Sequence, residues 1–95
     1  MRMTADFPTA RAAALTGTMA KHFGPKIPVT HDDRHAVLTF EIGQARIAVQ
    51  DASLHLALDA ADAGALERLR AVIESHLLRF AHREHPAPLS WTPPA

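Results

Sequence analysis

Apolar and polar residues alternate along the middle of the chain, in HAVLTFEI, ARIAVQ and LHLALDA. A period of two residues is typical of a strand that buries one face. The pattern therefore predicts three consecutive strands whose inward residues all reach the same core. These inward residues are Ala36, Leu38, Phe40, Ile42, Ala45, Ile47, Val49, Leu54, Leu56 and Leu58.

Two short loops are predicted to join these strands as antiparallel hairpins. A loop at Gly43-Gln44, with glycine first as a type II′ turn prefers, places Phe40 opposite Ile47. A loop at Asp51-Ala52 places Ile47 opposite Leu56. Both registers set inward residues against inward residues, as a sheet with one buried face requires.

A fourth strand is predicted before these three, in the segment PVTHDDRHAV. Ile27 and Val29 are its inward residues, with Val29 opposite Ala36, and residues 31–34 (HDDR) form the hairpin tip. Pro28 then points outward on an edge strand, because proline cannot donate to a ladder on both sides. Aspartate is common in such a tip, since its side chain bonds nearby backbone N–H groups.

Two amphipathic helices flank the strands. The first is expected to start near Thr9 as N-cap and to end at Gly24, in a left-handed C′ conformation followed by Pro25. The second is expected to span 63–81 with Asp62 as its N-cap. Their inward stripes are Ala12, Leu15, Met19 and Phe23 in the first helix, and Leu66, Leu69, Ile73, His76, Leu77 and Phe80 in the second.

Both ends of the chain are candidates for further strands. Residues 2–7 (RMTADF) supply one, and Leu89 alternates with Trp91 in the proline-rich tail 86–95, which suggests a short edge strand. A chain of 95 residues has room for one core. We therefore expect a single α+β domain over 1–95, an antiparallel sheet of four to six strands with two helices packed on one face, in the order (β)αββββα(β).

The amino-acid composition argues against several classes of function for this chain. Ten Lys and Arg balance ten Asp and Glu, so no basic field indicates nucleic-acid binding. The absence of cysteine excludes disulfides, thiolate nucleophiles and Cys-ligated metals. No stretch of about 18 apolar residues or secretory leader is visible, so we expect a cytoplasmic chain without membrane contact. The serines and four glycines fit no nucleophile elbow, P-loop or dinucleotide motif.

Seven histidines make a divalent metal the one cofactor that the sequence suggests. His22 and His76 lie on or beside inward helix faces and are the best candidates for a functional pair. If both helices run along the strands, however, the two residues lie roughly 20 Å apart at 1.5 Å per residue, too far to share an ion. Strongly crossed helices shorten this distance; otherwise each is a core histidine that donates to a backbone carbonyl.

A second group of candidate ligands is expected at one end of the sheet. The topology places the hairpin tip at 31–34 at the same end of the sheet as the residues that follow the second helix. The alternatives to a metal site are turn chemistry at the tip and favourable interaction of histidines with a helix C-terminus. The candidates are His31, Asp32, Asp33, His35, His82 and His85.

Nearly the whole chain resembles a small bacterial domain of unknown function, the family numbered 2218. The likeness is carried by KHFGPKIPV (21–29), DDRHAVLTF (32–40), LHLALDAADAGALERLRAVIESHLLRFAHRE (54–84) and LSWTP (89–93). Some members are free-standing, and others are fused to flavin-dependent siderophore-interacting proteins. The resemblance implies a context in siderophore or iron metabolism. A second histidine often present in the family is replaced here by Pro25, which weakens a metal site carried over from it.

These observations favour an accessory or interaction module over a catalyst, although the sequence does not decide whether the chain is an enzyme. The alternative is a small His-based metal-binding protein or metal-dependent enzyme. The face of the sheet opposite the helices is a candidate surface for a second copy or a partner protein, and a flavin-dependent siderophore-interacting protein is the partner that the resemblance implies.

Overall fold

The alternating segments form one antiparallel sheet of five strands in a computed structural model that describes residues 1–95. In chain order the elements are β1 (Arg2–Pro8), α1 (Ala12–Phe23), β2 (Val29–His31), β3 (His35–Phe40), β4 (Gly43–Val49), β5 (Ser53–Ala60) and α2 (Ala63–Phe80), followed by a short 3₁₀ turn (His82–Glu84). The strand order is β1-β5-β4-β3-β2. The predicted α+β architecture is confirmed, including the strand at the N-terminus.

The core lies between one face of the sheet and both helices. Leu38, Ile47 and Leu56 are fully buried on that face, and they belong to the same cluster as the inward stripes of α1 and α2. The alternate residues of each strand point to the other face, which no helix covers. Burying one face and leaving the other to solvent is common for antiparallel sheets.

The second hairpin has the predicted register, with Ile47 opposite Leu56. The first does not: Phe40 pairs with Gly43, so the loop is 41–42 rather than Gly43-Gln44. Both registers pair inward residues with inward residues, because the partner of Phe40 moves by four positions, from Ile47 to Gly43, and alternation cannot distinguish an even displacement. Gly43 is needed within the strand, because a Cβ there would lie 2.3 Å from the backbone oxygen of Asp59 on β5.

The register of the β2–β3 hairpin is displaced in the same way. Val29 lies opposite Leu38 rather than Ala36, and His31 is the last residue of β2 instead of a tip residue. The tip is therefore only three residues long. Asp32 organises it by accepting the backbone N–H groups of Arg34 and His35 at 2.8 and 2.9 Å, the role expected of aspartate in a turn.

The helix ends agree with the prediction for α2 and differ for α1. Asp62 caps α2 by accepting the N–H of Ala65 at 2.8 Å. Helix α1 begins only at Ala12, and the Thr9 hydroxyl instead accepts the N–H of Arg11. Gly24 has φ −52°, a right-handed conformation, so the predicted left-handed C′ is wrong. The helix unwinds through a turn in which the Lys26 N–H bonds to the oxygen of Phe23.

Helix α1 crosses the sheet from one edge to the other. It connects β1 to β2, and these strands occupy the two edges. Four interstrand spacings of about 4.8 Å amount to ~19 Å, and the 12 residues of α1 are about 18 Å long. The helix must therefore run obliquely across the strands, and its C-terminal turn reaches the C-terminal half of α2.

The tail does not form a regular strand, although the prediction of an edge segment is partly correct. Its backbone bonds to β1, with the Thr92 N–H donating to Thr4 and Arg2 and Ala95 bonding to each other reciprocally. Pro93 has no N–H to donate, which interrupts the ladder. The tail thus covers the β1 edge of the sheet without extending it regularly.

A buried carboxylate on α2 anchors this tail. Glu74 is 9% exposed and accepts the N–H of Leu89 at 3.1 Å and the indole N–H of Trp91 at 2.8 Å. The guanidinium of Arg70 donates to it at 2.7 Å and balances its charge. A buried carboxylate is tolerated only when it is paired and hydrogen-bonded in this way.

We expect Glu74→Gln to release the tail. The amide would turn an N–H₂ group toward a donor, and leaving such donors unsatisfied costs about 1–3 kcal/mol. Trp91 is the only tryptophan, so its fluorescence should shift to the red as the unfolding free energy falls. Glu67→Gln is the matched control, because Glu67 also binds Arg70 but is exposed and does not contact the tail. Equal effects of the two variants would show that Glu74 does not anchor the tail.

Candidate functional site

His22 and His76 lie side by side, with ring centroids 5.0 Å apart. The expected separation of roughly 20 Å is therefore wrong. It assumed that both helices run along the strands, whereas α1 crosses from edge to edge and brings its last turn onto the C-terminal half of α2. The crossed arrangement that shortens the distance is the one present.

Aromatic rings surround this histidine pair. Phe23 lies 4.8 Å from His22 and 4.9 Å from His76 between ring centroids, and Phe80 lies 5.3 Å from His22. The Nδ1 of His76 is 2.7 Å from the Val72 oxygen. Because a carbonyl only accepts, this nitrogen donates a proton to it.

The environment disfavours a charge on the first histidine. Packing of the His22 ring against its neighbours lowers its pKa, and the positive charge of Lys26 lowers it further, with smaller effects from His76 and Arg79. The folded chain therefore binds a proton at His22 less readily than the unfolded chain does.

The second predicted cluster is not assembled. His31, Asp32, Asp33 and His35 belong to the β2–β3 hairpin, at one edge of the sheet. His82 donates to the Arg79 oxygen at 3.0 Å, and the 3₁₀ turn ends at His85, with φ 51°. Glu84 of that turn accepts the Thr9 hydroxyl at 2.6 Å, which places the turn beside the end of β1.

The two halves of the predicted cluster therefore share an end of the sheet but lie at opposite edges. Strand order separates them, since β1 and β2 are four interstrand spacings apart. No group of three or more His, Asp or Glu side chains is arranged to hold a metal ion.

The outer face of the sheet brings other chemical groups together. Across β3, β4, β5 and β1, one row consists of His35, Ala48, His55 and Asp6. The neighbouring row consists of Val37, Arg46, Ala57 and Thr4. Ala48 lies between two histidines in the first row, and Arg46 lies between Val37 and Ala57 in the second, so the larger side chains stand beside small apolar residues.

This arrangement encloses a shallow depression of about 390 Å³, which we call the outer hollow. Its floor is formed mainly by Val37, Ala48 and Ala57, and its charged or titratable lining residues are Arg2, His35, Arg46 and His55. Both histidines have an aspartate beside Nδ1.

The distances define how these groups are held. The Asp6 carboxylate lies 2.9 Å from Nδ1 of His55, and that of Asp32 lies 3.5 Å from Nδ1 of His35. Arg2 binds both oxygens of Asp59, the shortest contact being 2.8 Å, and this hydrogen bond lowers the pKa of Asp59. Arg46 forms no ion pair of its own.

Several of these residues were not singled out from the sequence. Arg2 and Asp6 lie on β1, which was only a candidate strand, although Met3, Ala5 and Phe7 alternate with them as inward residues. Glu74 lies outside the apolar stripe predicted for α2. A signal for it was present in the tail, where Leu89 and Trp91 need an apolar surface and the indole N–H needs an acceptor.

Comparisons with known proteins agree with this fold. A family model described as an uncharacterized protein conserved in bacteria (DUF2218) matches residues 4–92. The NMR structure of PA4090 from Pseudomonas aeruginosa is similar with a TM-score of 0.82 and 24% identity, over 97% of this chain and 95% of that one. No curated protein matches. Neither helix is long and apolar enough to cross a membrane.

The lowered pKa of His22 predicts a loss of stability in mild acid. The unfolded chain, with a histidine pKa of about 6.5, binds the proton more readily than the folded chain. The contribution of His22 is therefore complete above that value and is lost as the pH falls below it. Melting temperatures between pH 8 and pH 5 should decline less steeply in His22→Gln than in the wild type. An unchanged slope in His22→Gln would contradict the prediction.

Zinc should not stabilise the chain. The His22–His76 pair offers two nitrogens, whereas structural zinc sites have four ligands. A ligand present at 100 times its Kd raises the unfolding free energy by about 2.7 kcal/mol. We expect the addition of excess zinc to leave the melting temperature unchanged in both the wild type and the His22→Ala/His76→Ala variant. A rise confined to the wild type would show a metal site at this pair.

Proposed function

This chain belongs to the DUF2218 family of uncharacterized proteins conserved in bacteria, and from its uncovered sheet face we propose that it is an accessory interaction module. The face binds a partner protein, and the partner is a flavin-dependent siderophore-interacting protein. The module works in the same compartment as that partner, the cytoplasm.

One observation carries the proposal: the outer face combines an apolar centre with a polar rim. A solvated outer face alone would indicate nothing, because many antiparallel sheets have one. Here Val37, Ala48 and Ala57 are small and central, and paired charges such as Arg2–Asp59 stand around them. Protein interfaces have the same arrangement of an apolar core within a polar rim.

The charges of this face favour a partner without a strong charge. Arg2 is paired with Asp59, and His55 with Asp6, so opposite charges largely balance locally. A polyanion such as nucleic acid would meet the carboxylates that stand beside Arg2, His35 and His55. A protein surface with its own mixed rim fits better, since complementary charges set specificity and register.

The choice of partner is supported by the resemblance to relatives fused to flavin-dependent siderophore-interacting proteins. In a fused protein the linker keeps two domains at a high effective concentration. A free-standing module needs an intermolecular surface for the same encounter. The outer face is the side of the sheet that the helices leave uncovered.

Binding should be tested with a purified flavin-dependent siderophore-interacting protein from the same genome, by biolayer interferometry. Ala48→Glu places a charge at the centre of the face and should weaken binding at least tenfold, equivalent to about 1.4 kcal/mol. Ala71→Glu, at an exposed position on α2, is the matched control and should bind as the wild type does. No binding by the wild type at 100 μM, on the order of the weakest specific complexes, or equal weakening by both variants would reject this partner.

Size-exclusion chromatography with light scattering tests whether a second copy of the chain occupies the outer face. The proposal expects a monomer in the absence of the partner. A dimer that Ala48→Glu dissociates and Ala71→Glu does not would assign the outer face to a second copy of the chain instead.

A further inference from the structure

Three nitrogen-bearing side chains stand around one small residue in the outer hollow. His35 and His55 flank Ala48 in its cross-strand row, and Arg46 precedes it by two residues on the same face of β4. Val37 and Ala57 fill the places beside Arg46. The hollow thus has a triangle of polar groups above an apolar floor.

The size of the triangle follows from sheet geometry. Strands about 4.8 Å apart put His35 and His55 roughly 10 Å from each other at their Cα atoms, and each about 8 Å from Arg46. Side chains that reach inward from these positions leave space for one oxyanion or one ring. The volume of about 390 Å³ is near the lower end of the range for ligand pockets, which also indicates a small ligand.

Arg46 is the arginine of this hollow that no carboxylate contacts directly, although Asp59, which binds Arg2, also attracts it. The neighbouring carboxylates are engaged elsewhere: Asp59 binds Arg2, Asp6 contacts His55, and Asp32 accepts two backbone N–H groups of its own turn. A guanidinium presents a planar pair of donors that matches a carboxylate. The apolar floor beside it favours a ligand whose body is flat and hydrophobic.

The two imidazoles couple such a ligand to protons. At each ring Nδ1 faces an aspartate, which leaves Nε2 as the nitrogen available to the hollow. A neutral Nε2 only accepts, whereas a protonated ring donates and carries a positive charge. Binding of an anion in the hollow would therefore be accompanied by proton uptake. The charged groups around the two histidines are Arg2, Arg46, Asp6, Asp32 and Asp59.

We propose that the outer hollow binds a small aromatic carboxylate, with the carboxylate on Arg46 and the ring over Ala48 between His35 and His55. The inference uses the same uncovered face as the proposed function but needs no partner protein. A phosphate ion shares the charge but has no apolar body, so it should bind more weakly.

The test is titration of the isolated chain with benzoate at low salt, followed by ¹H–¹⁵N NMR. Saturable shifts should centre on the amides of Val37, Ala48 and Ala57, with a Kd on the order of 1 mM, a value typical of a ligand this small. Lowering the pH from 8 to 6 should tighten binding by about threefold or more, because proton uptake accompanies it. Inorganic phosphate should bind at least about threefold more weakly than benzoate at each pH, by the loss of the buried ring.

Arg46→Gln should weaken benzoate binding about tenfold or more, and Arg46→Lys should weaken it less, because it keeps the charge but loses the planar fork. Arg68→Gln, at an exposed arginine of α2 without an ion pair, is the matched control and should bind as the wild type does. Dispersed spectra and melting temperatures would verify that each variant is folded.

Three results would overturn the inference: no saturable shifts up to about 20 mM benzoate, well above the weakest affinity a pocket of this kind supports; the same affinity in Arg46→Gln; or phosphate binding as tightly as benzoate. None of them bears on partner binding, and failure of the partner assay would leave the benzoate result unchanged. The two proposals can thus fail separately.

Discussion

The arrangement of the molecule depends on one constraint, that α1 must connect strands at opposite edges of the sheet. A helix of 12 residues is only just long enough to cover that width. It therefore crosses the strands, contacts α2 with its last turn and shares with α2 a single face of the sheet. The meeting of His22 with His76 and the bare outer face both follow from this crossing.

Much of the fold could be predicted because its strands bury every second residue and its helices carry a clear apolar stripe. The register could not. Moving the β3–β4 loop from 43–44 to 41–42 keeps every inward residue inward, so the alternation has the same appearance in both cases. In the observed pairing the backbone of Gly43 lies so close to Asp59 on a third strand that a side chain would not fit, a constraint between strands that hairpin rules do not consider.

Prediction of candidate sites failed where it depended on distance between elements. His22 and His76 were correctly assigned to packed helix positions, but their separation required the path of α1, which depends on where β1 inserts. The place of this strand in the sheet, which the sequence did not indicate, also brings Asp6 and Arg2 to the outer face. Glu74 could not be recognised from helical periodicity either, since its burial is caused by a tail that returns to α2 from 15 residues further along the chain.

The outer hollow shows why a site on a sheet must be found from the register rather than from motifs. His35, Arg46 and His55 are separated by 11 and 9 positions in the sequence, and none belongs to a recognisable pattern. They become neighbours only because three strands align Ala48 between two histidines. A displacement of two residues in either hairpin would place different side chains around Ala48 while leaving the core intact. The buried face thus determines which residues of each strand point inward. The chemistry of the exposed face depends in addition on which residues are paired between strands, and the alternation of inward and outward residues does not determine that pairing.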